Sequence, residues 1–169
     1  MDESTVTVGI DPGPRESAYV VWDGSRVINA GDLPNGELSQ RLDSAGRSTI
    51  VACEWIESFG MAVGREVFET VFAIGAFSQH AVLRLVPRRD VKLHLCASPR
   101  AKDGNIRQAL IDRLGAVGTK KAPGPLFGIA GHRWSALAVA VTAHDLAATD
   151  HEATFHRISE EARTTVRVS

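Results

Sequence analysis

At 169 residues, with 44% hydrophobic residues and a formal net charge of -1, the chain is sized for one packed domain and is too apolar to be disordered as a whole. Near-neutral charge excludes a uniformly basic protein that would bind nucleic acid by composition alone, so any such binding must come from local patches. Cys53 and Cys96 lack metal-ligand spacing and read as buried reduced thiols; with no signal peptide or membrane span in view, the expectation is a soluble, cytoplasmic protein.

In chain order, Thr5–Ile10 is a β-prone run that stops on Asp11, with Pro12-Gly13 directly behind it. Strands follow at Ser17–Trp22 and Arg26–Ala30. Asp23-Gly24-Ser25 between them signals a tight turn and hence an antiparallel pair. Leu38 and Leu42 stand at a helical interval in 36–45, before a fourth strand over Thr49–Glu54. From Met61 to Leu83 the apolar residues Val63, Val67, Phe68, Val71, Phe72, Ile74 and Phe77 predict a helix with a broad buried face. Leu83–Cys96 reads as strand again, through Leu83, Leu85, Val91, Leu93 and Leu95 around a basic interruption.

A helix is predicted from Asp103, a good N-cap, through Ile106, Leu110 and Ile111 to a stop at Gly115. The stretch Gly115–Ala130, rich in Gly, Lys and Pro, is a long loop of the kind that is usually functional or mobile. Trp134–Leu146, with its continuous Ala-Leu-Ala-Val-Ala-Val run, is a helix buried against something flat. Beyond Ala148 the chain turns polar, so the expected division is a domain over 1–148 and a loosely attached tail over 149–169. Strands first, then helices around a mixed sheet, give an α/β layer fold.

Three places can meet at one point of such a fold. A strand fixes the backbone of Asp11, and the Pro-Gly turn leaves its carboxyl group open above the sheet, although an aspartate before Pro-Gly equally suits a turn cap. Glu54 ends its own apolar run as Asp11 does. If the two strands are neighbours, two carboxylates share one sheet edge, which is costly unless a proton or a hard divalent cation is shared. Glu57, three residues on, is the rival ligand. His132 falls in the first turn of the last helix, and Ser135 lies on nearly the same face.

Gly9-Ile10-Asp11-Pro12-Gly13, Glu54 at the fourth strand and the Ser135-Ala-Leu-Ala-Val-Ala-Val helix together resemble the RuvC family of Holliday junction resolvases, of the RNase H-like superfamily. The stretches Gly60-Met-Ala-Val-Gly-Arg-Glu-Val-Phe-Glu-Thr and Lys102-Asp-Gly-Asn-Ile-Arg-Gln-Ala-Leu-Ile-Asp-Arg-Leu-Gly look more like the small RuvC-like proteins of phages and prophages. The resemblance covers roughly residues 5 to 147. It implies a five-stranded RNase H-like sheet with helices on its flanks, in a protein of a bacterial or phage-infected cell. It also implies Asp11, Glu54 and His132 as catalytic metal ligands for Mg²⁺ or Mn²⁺, two ions per site, hydrolysing phosphodiester bonds in branched DNA to leave a 5′-phosphate and a 3′-hydroxyl.

The family commonly carries two aspartates in an Asp-x-x-Asp pattern at the start of the last helix, where this chain has His132 and Ser135. Histidine at the first position is a known variation; serine cannot replace an anionic carboxylate, so Asp103 and Glu57 are held in reserve as the missing ligand. An N/O ligand set accommodates Mn²⁺ alongside Mg²⁺. Cations cluster at Arg84, Arg88, Arg89 and Lys92, at Arg100 and Lys102, at Lys120 and Lys121, and at Arg133. Lys102 and the Lys120-Lys121 pair flank the expected site and are the strongest candidates for phosphate contacts.

Paired nicks across a four-way junction suit a C2 homodimer, and the helix with Phe68, Phe72 and Phe77 offers an interface, though core packing explains the same residues. Gly115-Ala-Val-Gly-Thr-Lys-Lys lacks the order of a phosphate loop, so no nucleotide cofactor is expected. His151 and His156 are five residues apart, where a zinc-protease helix needs four.

Overall fold

The structure, a computed structural model, describes residues 5–46, 48–58 and 60–166, with side chains as far as residue 150. The β-branched residues Val6, Thr7, Val8 and Ile10 build a central strand, β1 (Val6–Asp11), in a five-stranded mixed sheet of order β3-β2-β1-β4-β5. β2 (Glu16–Trp22) and β3 (Val27–Pro34) run as an antiparallel pair beside β1. Asp23 caps their turn, its carboxylate accepting from the Ser25 and Arg26 amides. On the other side β4 (Thr49–Trp55) and β5 (Leu83–Pro87) are parallel to β1 and to each other. Ile10 stands opposite Cys53 in this ladder, so the next residues, Asp11 and Glu54, leave the sheet side by side.

Helices cover both faces. α1 (Asn35–Leu42) and α2 (Arg65–Phe77) lie on one, where Leu38, Leu42, Ala73, Ile74 and Phe77 meet Ile10, Val51 and Cys53 of the strands. α3 (Arg88–Cys96), α4 (Asp103–Leu114) and α5 (Arg133–Val166) belong to the other, and Ala136–Ala140 of α5 are buried against Ala18, Val20 and Ala52. The small side chains of α5 let it approach β1 so closely that a Cβ on Gly9 would overlap the Ala136 carbonyl and the Ala140 backbone. This contact, two residues before Asp11, sets the first turn of α5 above the ends of β1 and β4.

Three expectations are corrected. Leu83–Cys96 is not one strand: β5 ends at Pro87 and α3 begins at Arg88. Val91, Leu93 and Leu95 alternate as in a strand, but Val91 and Leu95 contribute to the core at a helical interval while Leu93 is exposed. The helix expected over 61–83 occupies only 65–77, and its buried face is half as wide as the pattern suggested: Thr70, Ala73, Ile74 and Phe77 are inside, whereas Met61, Val63, Phe68, Val71 and Phe72 are exposed. Cys96, read as buried in a strand, is half-buried in α3. α5 runs on past Ala148 to Val166, in a stretch with no Gly or Pro to end it. His151 and His156 carry side chains outside the described residues.

The 115–130 loop folds back on itself. Gly118 and Pro123 form an isolated bridge, Thr119 and Ala122 close a tight turn with Lys120 and Lys121 exposed at its tip, and Leu126 and Ile129 anchor the return to the core.

Candidate active site

Asp11 and Glu54 stand at the carboxyl ends of adjacent parallel strands, with side chains 16% exposed each. Burial pushes both carboxyl groups above their ordinary values. For Asp11 the upward push of burial is opposed by a hydrogen bond to His132 and by the charge of Arg88, and the net direction is still up. For Glu54 burial dominates, Arg88 counteracts it, Asp11 reinforces it, and the pKa reaches about 7. Two desolvated acids beside each other make a site short of positive charge.

The surroundings supply it unevenly. His132 caps the start of α5, its carbonyl accepting from the Ala136 amide, and its Nδ1 lies 2.9 Å from Asp11 Oδ2. The ring is 86% exposed, so it reaches the acid from the solvent side. On the other flank stands Arg88, the first residue of α3, delivered directly by the end of β5. Its guanidinium donates to Glu54 Oε2 at 3.3 Å, to Ser135 Oγ at 3.3 Å and to Asp103 Oδ1 at 2.5 Å. Burial works against its charge, but Glu54, Asp103 and Asp11 outweigh that and hold it more firmly protonated than usual. An open cleft of about 660 Å³ leads away from Asp11 and His132 along the Pro12–Ser17 turn.

The structure thus brings together Asp11, Glu54, His132 and Ser135, with Asp103 joined through Arg88. Asp103 is the first residue of α4, one beyond the cap at Lys102, where a carboxylate is favoured by the helix dipole. Glu57 is exposed beyond β4 and has no bond to this group. Among the described residues, no three His, Cys, Asp or Glu side chains converge closely enough to hold an ion as they stand. The donor set nonetheless fits a hard divalent cation at the Asp11–Glu54 pair, whose raised pKa values register an unmet demand for positive charge, with His132 Nδ1 at hand. On the Glu54–Ser135 side a guanidinium already meets that demand.

The cations divide as well. Arg133, one of the phosphate-binding candidates, clasps Asp32 of β3 at 2.6 and 3.0 Å and the Gly128 carbonyl at 3.0 Å, fixing the start of α5 to the sheet. Arg84 pairs with Asp150. Arg88, one of the expected DNA contacts, lies among the acids. Arg89, Arg100, Lys102, Lys120 and Lys121 are exposed and make no ion pair among the described residues. Arg107 was missed as a contact: it stacks over the Trp134 ring, 4.8 Å from its centroid, and joins α4 to the first turn of α5.

No family model and no curated protein matches the sequence. Solved structures do match the fold. RuvC from Thermus thermophilus in complex with a Holliday junction substrate aligns with a TM-score of 0.61 at 22% identity, over 82% of this chain and 92% of that one. A second Thermus thermophilus RuvC structure aligns with a TM-score of 0.60 at 23% identity, over 81% and 92%. The chain therefore has a RuvC-like, RNase H-like fold, and among its described residues no helix is long and apolar enough to cross a membrane.

Proposed function

We propose that the protein is a metal-dependent endonuclease of branched DNA that resolves four-way junctions by paired, symmetric nicks. The observation that carries the reading is the pair Asp11 and Glu54, set side by side at the ends of β1 and β4 with His132 against Asp11, on a fold shared with a RuvC bound to a Holliday junction substrate. Asp11 and Glu54 would hold Mg²⁺ or Mn²⁺, with His132 as the further ligand. When bound there, such an ion would supply activation of water and polarisation of the phosphoryl oxygen, so that no protein nucleophile would be required.

The chain's own residues do the remainder. Asp11 and Glu54 hold their positions because their strands are hydrogen-bonded neighbours. Arg133, tied to Asp32, fixes the helix start that carries His132. Lys102, Arg100 and Arg89 lie on the elements flanking Asp103 and Arg88, and Lys120-Lys121 project from the 115–130 loop, as exposed cations for backbone phosphates. Two nicks on opposite strands need two sites, and the exposed apolar face of α2, with Phe68 at 64% and Phe72 at 80% exposure, supports a C2 homodimer through that helix.

The test is loss of nicking on a labelled four-way junction in the Asp11→Asn and Glu54→Gln variants while junction gel shifts are retained. A second reading, a junction-binding protein without catalysis, is favoured by one observation: Arg88 pairs with Glu54 beside a serine where the family commonly has a carboxylate. Gel shifts by the wild-type chain under both metals with every strand left intact would select it.

A further inference from the structure

The guanidinium of Arg88 sits where three elements converge on the acid site. It touches Glu54 at the end of β4, Ser135 in the first turn of α5 and Asp103 at the start of α4. Its side chain is only a quarter exposed, and it is placed there by the backbone: Pro87 ends β5 in extended conformation, and α3 starts on Arg88 itself. Its neighbour Arg89 points into solvent. Arg88 is therefore built into the site, with three partners, and is not a surface charge that happens to lean inward.

We infer that Arg88 takes the place of a second metal ion, so that each site binds one divalent cation at Asp11, Glu54 and His132 and the guanidinium supplies the remaining positive charge facing the phosphate. Charge balance points the same way. Before a phosphate enters, Asp11, Glu54 and Asp103 bring three negative charges, which one guanidinium and one divalent ion would neutralise, and the fixed guanidinium stands against Glu54 and Ser135 where another ion would have to approach. Ser135 is matched to this arrangement, since its hydroxyl accepts from Arg88 without adding charge. An aspartate at 135 would not by itself create a second metal position, because Arg88 already stands within its reach and would pair with it.

The inference deepens the nuclease reading and rests on it, and the decisive readout is metal stoichiometry, which does not depend on cleavage. Chelator-stripped full-length protein is titrated with Mn²⁺ alone, and free Mn²⁺ is followed by electron paramagnetic resonance. The wild type is expected to bind one Mn²⁺ per chain. Ser135→Asp is expected to stay at one despite its added carboxylate, Arg88→Lys to stay at one because the charge is kept, and the Arg88→Ala/Ser135→Asp double variant to rise to two, with circular dichroism reporting that each is folded. Two ions on the wild type, or two on Ser135→Asp alone, would overturn the role of Arg88 while leaving a metal nuclease intact. No bound Mn²⁺ on the wild type would overturn both. The wild-type and Ser135→Asp arms decide the matter even if the double variant fails to fold.

Discussion

Replacing Glu54 by glutamine removes a proposed ligand, yet it stabilises the metal-free protein above neutral pH. Glu54 is 16% exposed and its pKa in the fold is about 7 against an ordinary 4.5, with burial as the main cause. Between those values the folded chain holds a proton that the unfolded chain has already released, so stability of the metal-free protein falls as pH rises from about 4.5 through about 7. The full interval corresponds to roughly 3 kcal/mol, at about 1.4 kcal/mol per tenfold change. Glutamine has the shape of the protonated acid and cannot ionise. In chelator, thermal melts of wild type and Glu54→Gln should nearly coincide at pH 5 and separate by roughly 6–12 °C at pH 8, the variant melting higher, for a chain of this size. A difference between the two proteins that does not change from pH 5 to pH 8, or a variant less stable at pH 8, would refute the reasoning that Glu54 is strained by desolvation. Added Mg²⁺ or Mn²⁺ should raise the wild-type melting temperature and leave the variant nearly unmoved.

Gly9→Ala forces a methyl group into the Ala136 carbonyl and Ala140, and denaturant melts should show a loss of about 2–4 kcal/mol, with Ala136→Gly unable to restore it because the clash is with backbone. Phe68→Glu/Phe72→Glu should convert a dimer to monomers in sedimentation without changing the circular dichroism spectrum, since both rings are exposed in the single chain; an unchanged sedimentation coefficient would remove α2 from the interface. Lys120→Ala/Lys121→Ala should weaken junction binding and reduce its dependence on salt by about two counterions, while leaving the melting temperature unchanged, because both side chains project from the tip of a turn.

How far the site could be read from the sequence depended on which physics set each residue. Asp11 and Glu54 are legible because each ends an apolar strand, and a residue that ends a strand is placed by local pattern alone. Their adjacency needed only that β1 and β4 be neighbours, which they are. His132 was legible from its position before a continuous apolar helix, and it does reach Asp11. Arg88 was not legible in its position among the acids. Val91, Leu93 and Leu95 imitate a strand, and a strand over 83–96 would carry Arg88 past the end of Glu54 instead of stopping beside it. The signal available was Pro87, which ends strands and begins helices with equal ease.

The outer face of α2 was misread for a related reason. Apolar residues at helical spacing say which side of a helix is hydrophobic, and they do not say whether that side meets the core of the same chain or a second copy. Arg133 shows the converse limit. It pairs with Asp32, a residue of β3 a hundred positions away, and no local pattern announces that pairing.

Nick mapping tests the nuclease proposal most directly. Wild-type protein is incubated with a four-way junction labelled on each strand in turn, in Mg²⁺ or Mn²⁺ and in chelator. Nicks at symmetric positions on two opposing strands, with 5′-phosphate ends, present with either metal and absent in chelator, are predicted. Intact strands under both metals, or nicks that persist in chelator or after Asp11→Asn, would contradict it.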